Sequence, residues 1–124
     1  MKKLIILIFS IFISIDSYSG IFNEKNICFE TDGQNIIFLP NETSPYTGKY
    51  LCKFDNDQKE REGRYKNGKL DGKWTIWFEN GQKWYEENYK NGKLDGKLIE
   101  WFQFNGEIKR EENYKNGKIC FNEC

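Results

Sequence analysis

The sequence predicts an all-β chain, an array of about three β-hairpin repeats laid side by side behind an N-terminal capping hairpin. Three observations predict it. Tyr65-Lys-Asn-Gly-Lys-Leu-Asp-Gly-Lys73 returns word for word at Tyr89–Lys97, 24 residues later, and begins again at Tyr114-Lys-Asn-Gly-Lys118, 25 residues on. Gly48, Gly72 and Gly96 hold the same 24-residue step, so a weaker copy precedes the two strong ones. Between these words, Lys73-Trp-Thr-Ile-Trp-Phe78 is aromatic and β-branched, and Glu79-Asn-Gly-Gln82 carries a hairpin turn signal. A fixed period in the twenties marks small supersecondary units that bury their apolar faces by stacking on one another.

Residues 1–19 read as a secretory signal. Lys2 and Lys3 give a positive start, Leu4 to Ile15 form an apolar run broken only by Ser10 and Ser14, and Ser17-Tyr18-Ser19 offers small residues for cleavage before Gly20. The run falls short of the ~20 residues that span a bilayer, so no stable membrane span is expected once the signal is removed. The expected location is exported: periplasm, cell surface or outside the cell. Removing Lys2, Lys3 and Asp16 from 19 basic and 19 acidic residues leaves 17 and 18, so the remaining chain is close to neutral. Evenly mixed charge gives no footprint for nucleic acid.

Residues 20–44 form the expected N-terminal cap, with Ile27 to Leu39 as a non-repeat hairpin split at Asp32-Gly33. Residues 45–118 form the array, in units 45–68, 69–92 and 93–118, and residues 119–124 are a C-terminal tail. Within a unit, Lys73–Phe78 is the outgoing strand and Lys83–Tyr89 the returning one. Asn91-Gly92 and Asp95-Gly96 make a tight loop into the next copy. The copy at Trp101-Phe-Gln-Phe-Asn-Gly106 is one residue longer than Trp77-Phe-Glu-Asn-Gly81, which predicts a bulge or longer turn near Gln103-Phe104. Strand alternation places Tyr50, Cys52, Phe54, Trp74, Ile76, Phe78, Leu98, Glu100 and Phe102 on one face, expected to be the better buried. The opposite face carries Trp77 and Trp101 among lysines.

Those repeated words closely resemble bacterial MORN repeats of the second type, the MORN-2 or YwqK-like family, over roughly Pro45 to Lys118. The resemblance implies an elongated, single-layer antiparallel sheet of hairpins. It also implies the antitoxin label given to many members, and a role as an interaction module.

All four cysteines follow the signal, and an even number in an exported chain favours two disulfides with three possible connectivities. Strands ~4.8 Å apart would separate the ends of a straight three-repeat ladder by roughly 25–30 Å. That excludes end-to-end pairing and predicts Cys28–Cys52 and Cys120–Cys124. The absence of histidine and the cysteine spacing argue against a metal site, and no cofactor is expected. Glu86-Glu87 and Glu111-Glu112 are adjacent carboxylates, but neighbours along a strand face opposite ways and a flat sheet desolvates neither, so no enzyme is expected. Asp71 and Asp95 read as turn residues and not as calcium ligands. The candidate binding face is Trp77 and Trp101, at equivalent positions of successive repeats, with Tyr85 as a neighbour. The expected activity is that of a protein-interaction module at the bacterial envelope or host interface. The alternatives are a carbohydrate or cell-wall binding module and a YwqK-family antitoxin-like protein.

Overall fold

A computed structural model describes residues 27–28, 36–121 and 124. The signal segment 1–19 and most of the capping hairpin lie outside the described residues. The described residues form nine strands and no helix: β1 (Gly48–Lys53), β2 (Lys59–Lys66), β3 (Lys69–Leu70), β4 (Gly72–Trp77), β5 (Lys83–Lys90), β6 (Lys93–Leu94), β7 (Gly96–Trp101), β8 (Ile108–Lys115) and β9 (Lys118–Cys120). They make one open antiparallel sheet in the order β1-β2-β4-β5-β7-β8-β9, with β3 paired to β2 and β6 paired to β5. The predicted fold class is the observed one.

The repeat in sequence is a repeat in register. Gly48 faces Tyr65, Gly72 faces Tyr89 and Gly96 faces Tyr114. In each hairpin the pairing shifts by one near the end of the outgoing strand, at Cys52/Lys53, Ile76/Trp77 and Glu100/Trp101. The shift leaves one unopposed residue on each returning strand: Glu60, Trp84 and Lys109. A bulge of this kind turns two consecutive side chains toward one face. The extra residue of the last copy is absorbed by the turn instead, where Phe102 N–H reaches the Glu107 carbonyl at 2.9 Å and Phe104 is 91% exposed. The longer turn expected there is what forms.

Both long margins of the sheet are stitched from one repeat to the next. On one margin Asn67-Gly68, Asn91-Gly92 and Asn116-Gly117 all take positive φ, from 49° to 78°. Two such residues in succession match the twist of the flanking strands, and Asn and Gly are the residues that adopt them at least cost. The glycine N–H of each turn then donates to the repeat before it, Gly68 to the Tyr46 carbonyl, Gly92 to that of Leu70 and Gly117 to that of Leu94. On the other margin, Asn56 Nδ2 donates to the Glu79 carbonyl and Asn80 Nδ2 to that of Gln103. There the asparagine does not take positive φ. Asn80 Oδ1 accepts from Gln82 N–H at 3.0 Å, an Asx turn, and only Gly81 goes left-handed. The two Asn-Gly words therefore fold differently.

The core lies on the predicted face, concentrated in the first two hairpins: Tyr50, Cys52, Tyr65, Leu70 and Trp74. Tyr50 and Trp74 rings stand 5.0 Å apart and Tyr65 meets both edge-on. Toward the C-terminus that face thins, with Leu98 buried but Phe102 exposed. Disulfides join Cys28 to Cys52, with α-carbons 4.8 Å apart, and Cys120 to Cys124, at 5.8 Å. Both are the predicted pairs. Of the expected capping hairpin, Ile27, Cys28 and Ile36–Leu39 are described and lie in no strand. The second stretch docks on the first turn instead, Ile37 N–H donating to the Gly68 carbonyl and Tyr46 N–H to that of Ile37. No described helix is long and apolar enough to cross a membrane.

Candidate binding surfaces of the sheet

The two faces of the sheet differ in chemistry because strand alternation sorts the residues between them. On the first face, Lys59 Nζ lies 5.6 Å from the centre of the Trp77 ring, and one repeat on Lys83 Nζ lies 5.6 Å from that of Trp101. The same lysines reach carboxylates, Lys59 to Glu62 and Lys83 to Glu86, and Lys73 closes on Glu86 from the other side at 2.8 Å. Burial opposes ionisation of Glu86, but hydrogen bonds from Lys73 and Lys83 outweigh it and hold its carboxyl below the usual range. This face is a ladder of half-buried tryptophans, each covered by a lysine and framed by ion pairs. Near β1, Ile27 borders a depression of about 670 Å³ on this face, over Leu51 and Thr75 and between Lys49, Arg64 and Lys73.

The opposite face is aromatic at one end and ionic at the other. Between the first and second hairpins runs a groove of about 420 Å³ lined by Phe54, Trp74, Ile76, Trp84, Glu87 and Tyr89, and also by Arg61, Glu60 and Trp77. Trp84 is the unopposed bulge residue of β5. It is 41% exposed, stacks on Phe78 at 5.0 Å and leans on Tyr85 at 5.2 Å. Glu87 Oε2 accepts from the Tyr89 hydroxyl at 2.9 Å. Burial raises the Glu87 carboxyl above its usual value despite that bond and the charge of Arg110. Burial and the Glu87 charge likewise push the Tyr89 phenol upward.

One repeat later the same positions hold charges. Glu100, only 5% exposed, stands where the preceding repeat has Ile76, and accepts from Lys109 Nζ at 2.8 Å and Arg110 Nε at 3.2 Å. The Tyr85 hydroxyl also donates to it. The Lys109 hydrogen bond leads in holding Glu100 below its usual value. Glu112, the counterpart of Glu87, is bound by Arg110 at 3.2 Å and by the Tyr114 hydroxyl at 2.8 Å.

Of the three candidate residues, the fold brings two together by equivalence and separates the third. Trp77 and Trp101 share the lysine-bearing face. Tyr85 pairs with Ile76 and Glu100, so it lies on the other face and is no neighbour of the tryptophans. With Trp84 unopposed in the bulge, Tyr85 falls on the face away from Lys83, whereas unbroken alternation would have put the two together. Trp84 and Glu87 emerge as groove residues that sequence reasoning missed. The recurring bulge that exposes Trp84 needs the register, which no spacing in the sequence prints. Among the described residues, no group of three His, Cys, Asp or Glu is arranged to hold a metal ion. Asp95 does more than turn the chain. Its carboxylate accepts from Asn116 N–H and Lys115 Nζ of the next repeat, the bond to Lys115 leading in lowering its carboxyl, and Thr47 Oγ1 plays the same part for Asn67 N–H.

Residues 70–91 and 94–116 match the family model described as a MORN repeat variant. The chain carries two MORN repeats. No curated protein and no solved structure matches it. The first hairpin, β1–β2, lies outside the matched MORN repeats yet keeps their register and their bulge, so the sheet contains three units of the same geometry.

Proposed function

We propose that this protein is an exported, non-enzymatic binding module that engages a protein partner at the bacterial envelope or a host surface. The observation that carries the reading is the single-layer sheet with aromatic side chains set into both of its faces, Trp77 and Trp101 on one and Trp84 with Phe102 on the other. Large aromatics that remain partly exposed on a rigid scaffold are favoured anchors in protein interfaces. The two disulfides suit an oxidising compartment, which supports export. A carbohydrate ligand is the second reading, favoured by the equivalent spacing of Trp77 and Trp101. It is the weaker one because a lysine already lies over each ring. An antitoxin-like role requires a cytoplasmic protein and sits badly with both disulfides.

The test is binding of the purified, oxidised protein to cell-surface and envelope fractions treated with protease or with periodate. Loss after protease alone supports a protein partner, and loss after periodate alone a glycan. Binding to neither fraction overturns the module. Trp77→Ala combined with Trp101→Ala is expected to keep the fold and weaken capture. Unchanged capture removes the lysine-bearing face and leaves the aromatic groove.

A further inference from the structure

Seven carboxylates lie on strands of the sheet. Six hold a cation in direct contact: Glu60 with Arg61, Glu62 with Lys59, Glu86 with two lysines, Glu100 with Lys109 and Arg110, Glu111 with Lys97, and Glu112 with Arg110. Glu87 is the seventh. Its one side-chain bond among the described residues comes from the neutral hydroxyl of Tyr89. It lies in the groove walled by Trp74, Trp84 and Tyr89, drawn away from water so that its charge is costly to keep. Arg61, which also lines the groove, is already engaged by Glu60 at 2.9 Å.

We propose that this groove seats a lysine side chain of the partner polypeptide, its ammonium on the Glu87 carboxylate and its aliphatic stem along Trp84 and Tyr89. A partly buried carboxylate with no cation in contact gains most from a ligand that brings one. Aromatic walls suit the same ligand, since an ammonium is attracted to a ring face within about 6 Å. The sheet itself displays that pairing on its other face, where Lys59 and Lys83 stand 5.6 Å from Trp77 and Trp101. A sugar hydroxyl would bond the carboxylate but leave its charge uncompensated. The proposal rests on the protein-partner reading for the source of the lysine, but not for the site.

The probe is the peptide acetyl-Gly-Lys-Gly-amide, with acetyl-Gly-Gln-Gly-amide and N-acetylglucosamine as controls, titrated into the oxidised protein and followed by the four indole N–H resonances. Saturable shifts of the Trp84 and Trp74 signals by the lysine peptide, absent with both controls, are expected. Glu87→Gln should weaken binding about ten-fold, and Trp84→Ala, at an exposed site, by a comparable factor with the other indole signals in place. No saturable shift, an equal response to the glutamine peptide or the sugar, or unchanged affinity in both variants overturns the proposal. A peptide that titrates the groove when no envelope protein is captured would sink the module reading alone. Full capture by the combined Glu87→Gln, Trp84→Ala variant would sink the groove alone.

Discussion

Gly63→Ala tests how the aromatic core is assembled. Gly63 faces Tyr50 across β1–β2, and the β2–β4 register carries it opposite Trp74 on the other side. A β-carbon built on Gly63 would overlap the edge of the Trp74 indole at Cε3. That ring is 7% exposed, 5.0 Å from Tyr50 and 5.9 Å from Tyr65, so any shift it makes disturbs both aromatic pairs. Overpacking of this kind costs about 1–3 kcal/mol, and disturbing two aromatic pairs adds about 0.5–1.5 kcal/mol each. Replacing a glycine within a strand returns about 0.5–1 kcal/mol. The net loss is about 3 kcal/mol, or a fall in Tm of roughly 12–24 °C for a domain of this size. Urea and thermal melts followed by tryptophan fluorescence measure it. The array also contains the compensating pair: one row on, Glu87 occupies the position of Gly63 and Leu98 that of Trp74. Gly63→Ala in a Trp74→Leu background should therefore cost at least about 1.5 kcal/mol less than it does alone. A single-variant loss under about 0.5 kcal/mol, or the same loss in both backgrounds, refutes the packing argument.

Glu100→Gln and Glu87→Gln should act with opposite sign. Glu100 is held below its usual pKa in the folded state, so its contribution is complete above the unfolded carboxylate range and is lost as pH falls through the lowered value. Its Gln variant should be less stable by about 1–2 kcal/mol near pH 7, a gap that closes in acid melts. Glu87 is raised, so its charge costs stability as pH rises through the folded value, and Glu87→Gln should be neutral or stabilising at pH 7. Removing the Cys28–Cys52 bond opens a 24-residue separation and should cost roughly 3 kcal/mol, against roughly 2 kcal/mol for the four-residue separation of Cys120–Cys124. Denaturation of the two double-alanine variants compares them. Asn80→Ala removes the bond to the Gln103 carbonyl and the Asx turn to Gln82, and should lower stability by about 1–2 kcal/mol in the same melts.

The hairpins, their order, the better-buried face and both disulfides were legible because each rests on a short-range rule. Repeated words give the period, alternation gives the face, and Asn-Gly gives the turns. What escaped depends on register. The two Asn-Gly words look alike in sequence, yet Asn91 goes left-handed in a two-residue turn and Asn80 does not, because the second turn is longer and its side chain takes over a backbone role. Trp84 reads as one more strand residue until the pairing of Trp77 with Lys83 leaves it unopposed. The same shift puts Tyr85 on the face away from Trp77 and Trp101. Glu87 reads as half of an unremarkable Glu-Glu pair. Only side-chain partners across two strands separate it from Glu86, which holds two lysines.

The division between constant and variable positions has a physical cause. Tyr-Lys-Asn-Gly-Lys-Leu-Asp-Gly-Lys supplies the left-handed turn and the carbonyl that receives the next glycine N–H, and the Asn-Gly pair that makes the turn stands in all three copies. Face positions carry no such duty and differ from unit to unit: Gly63, Glu87 and Glu112 in one row, Arg61, Tyr85 and Arg110 in another, Trp74 and Leu98 beside them. Two stretches of the sheet with equivalent register thus acquire different chemistry. In the second, Arg110 neutralises Glu112 and Glu100 fills the floor with ion pairs. In the first, Tyr85 stands where that arginine would be, and among the described residues Glu87 has no cation in contact, only the more distant charge of Arg110. Tyr85→Arg would give Glu87 the partner that Glu112 already has. The array itself thus supplies the substitution that would close its own groove.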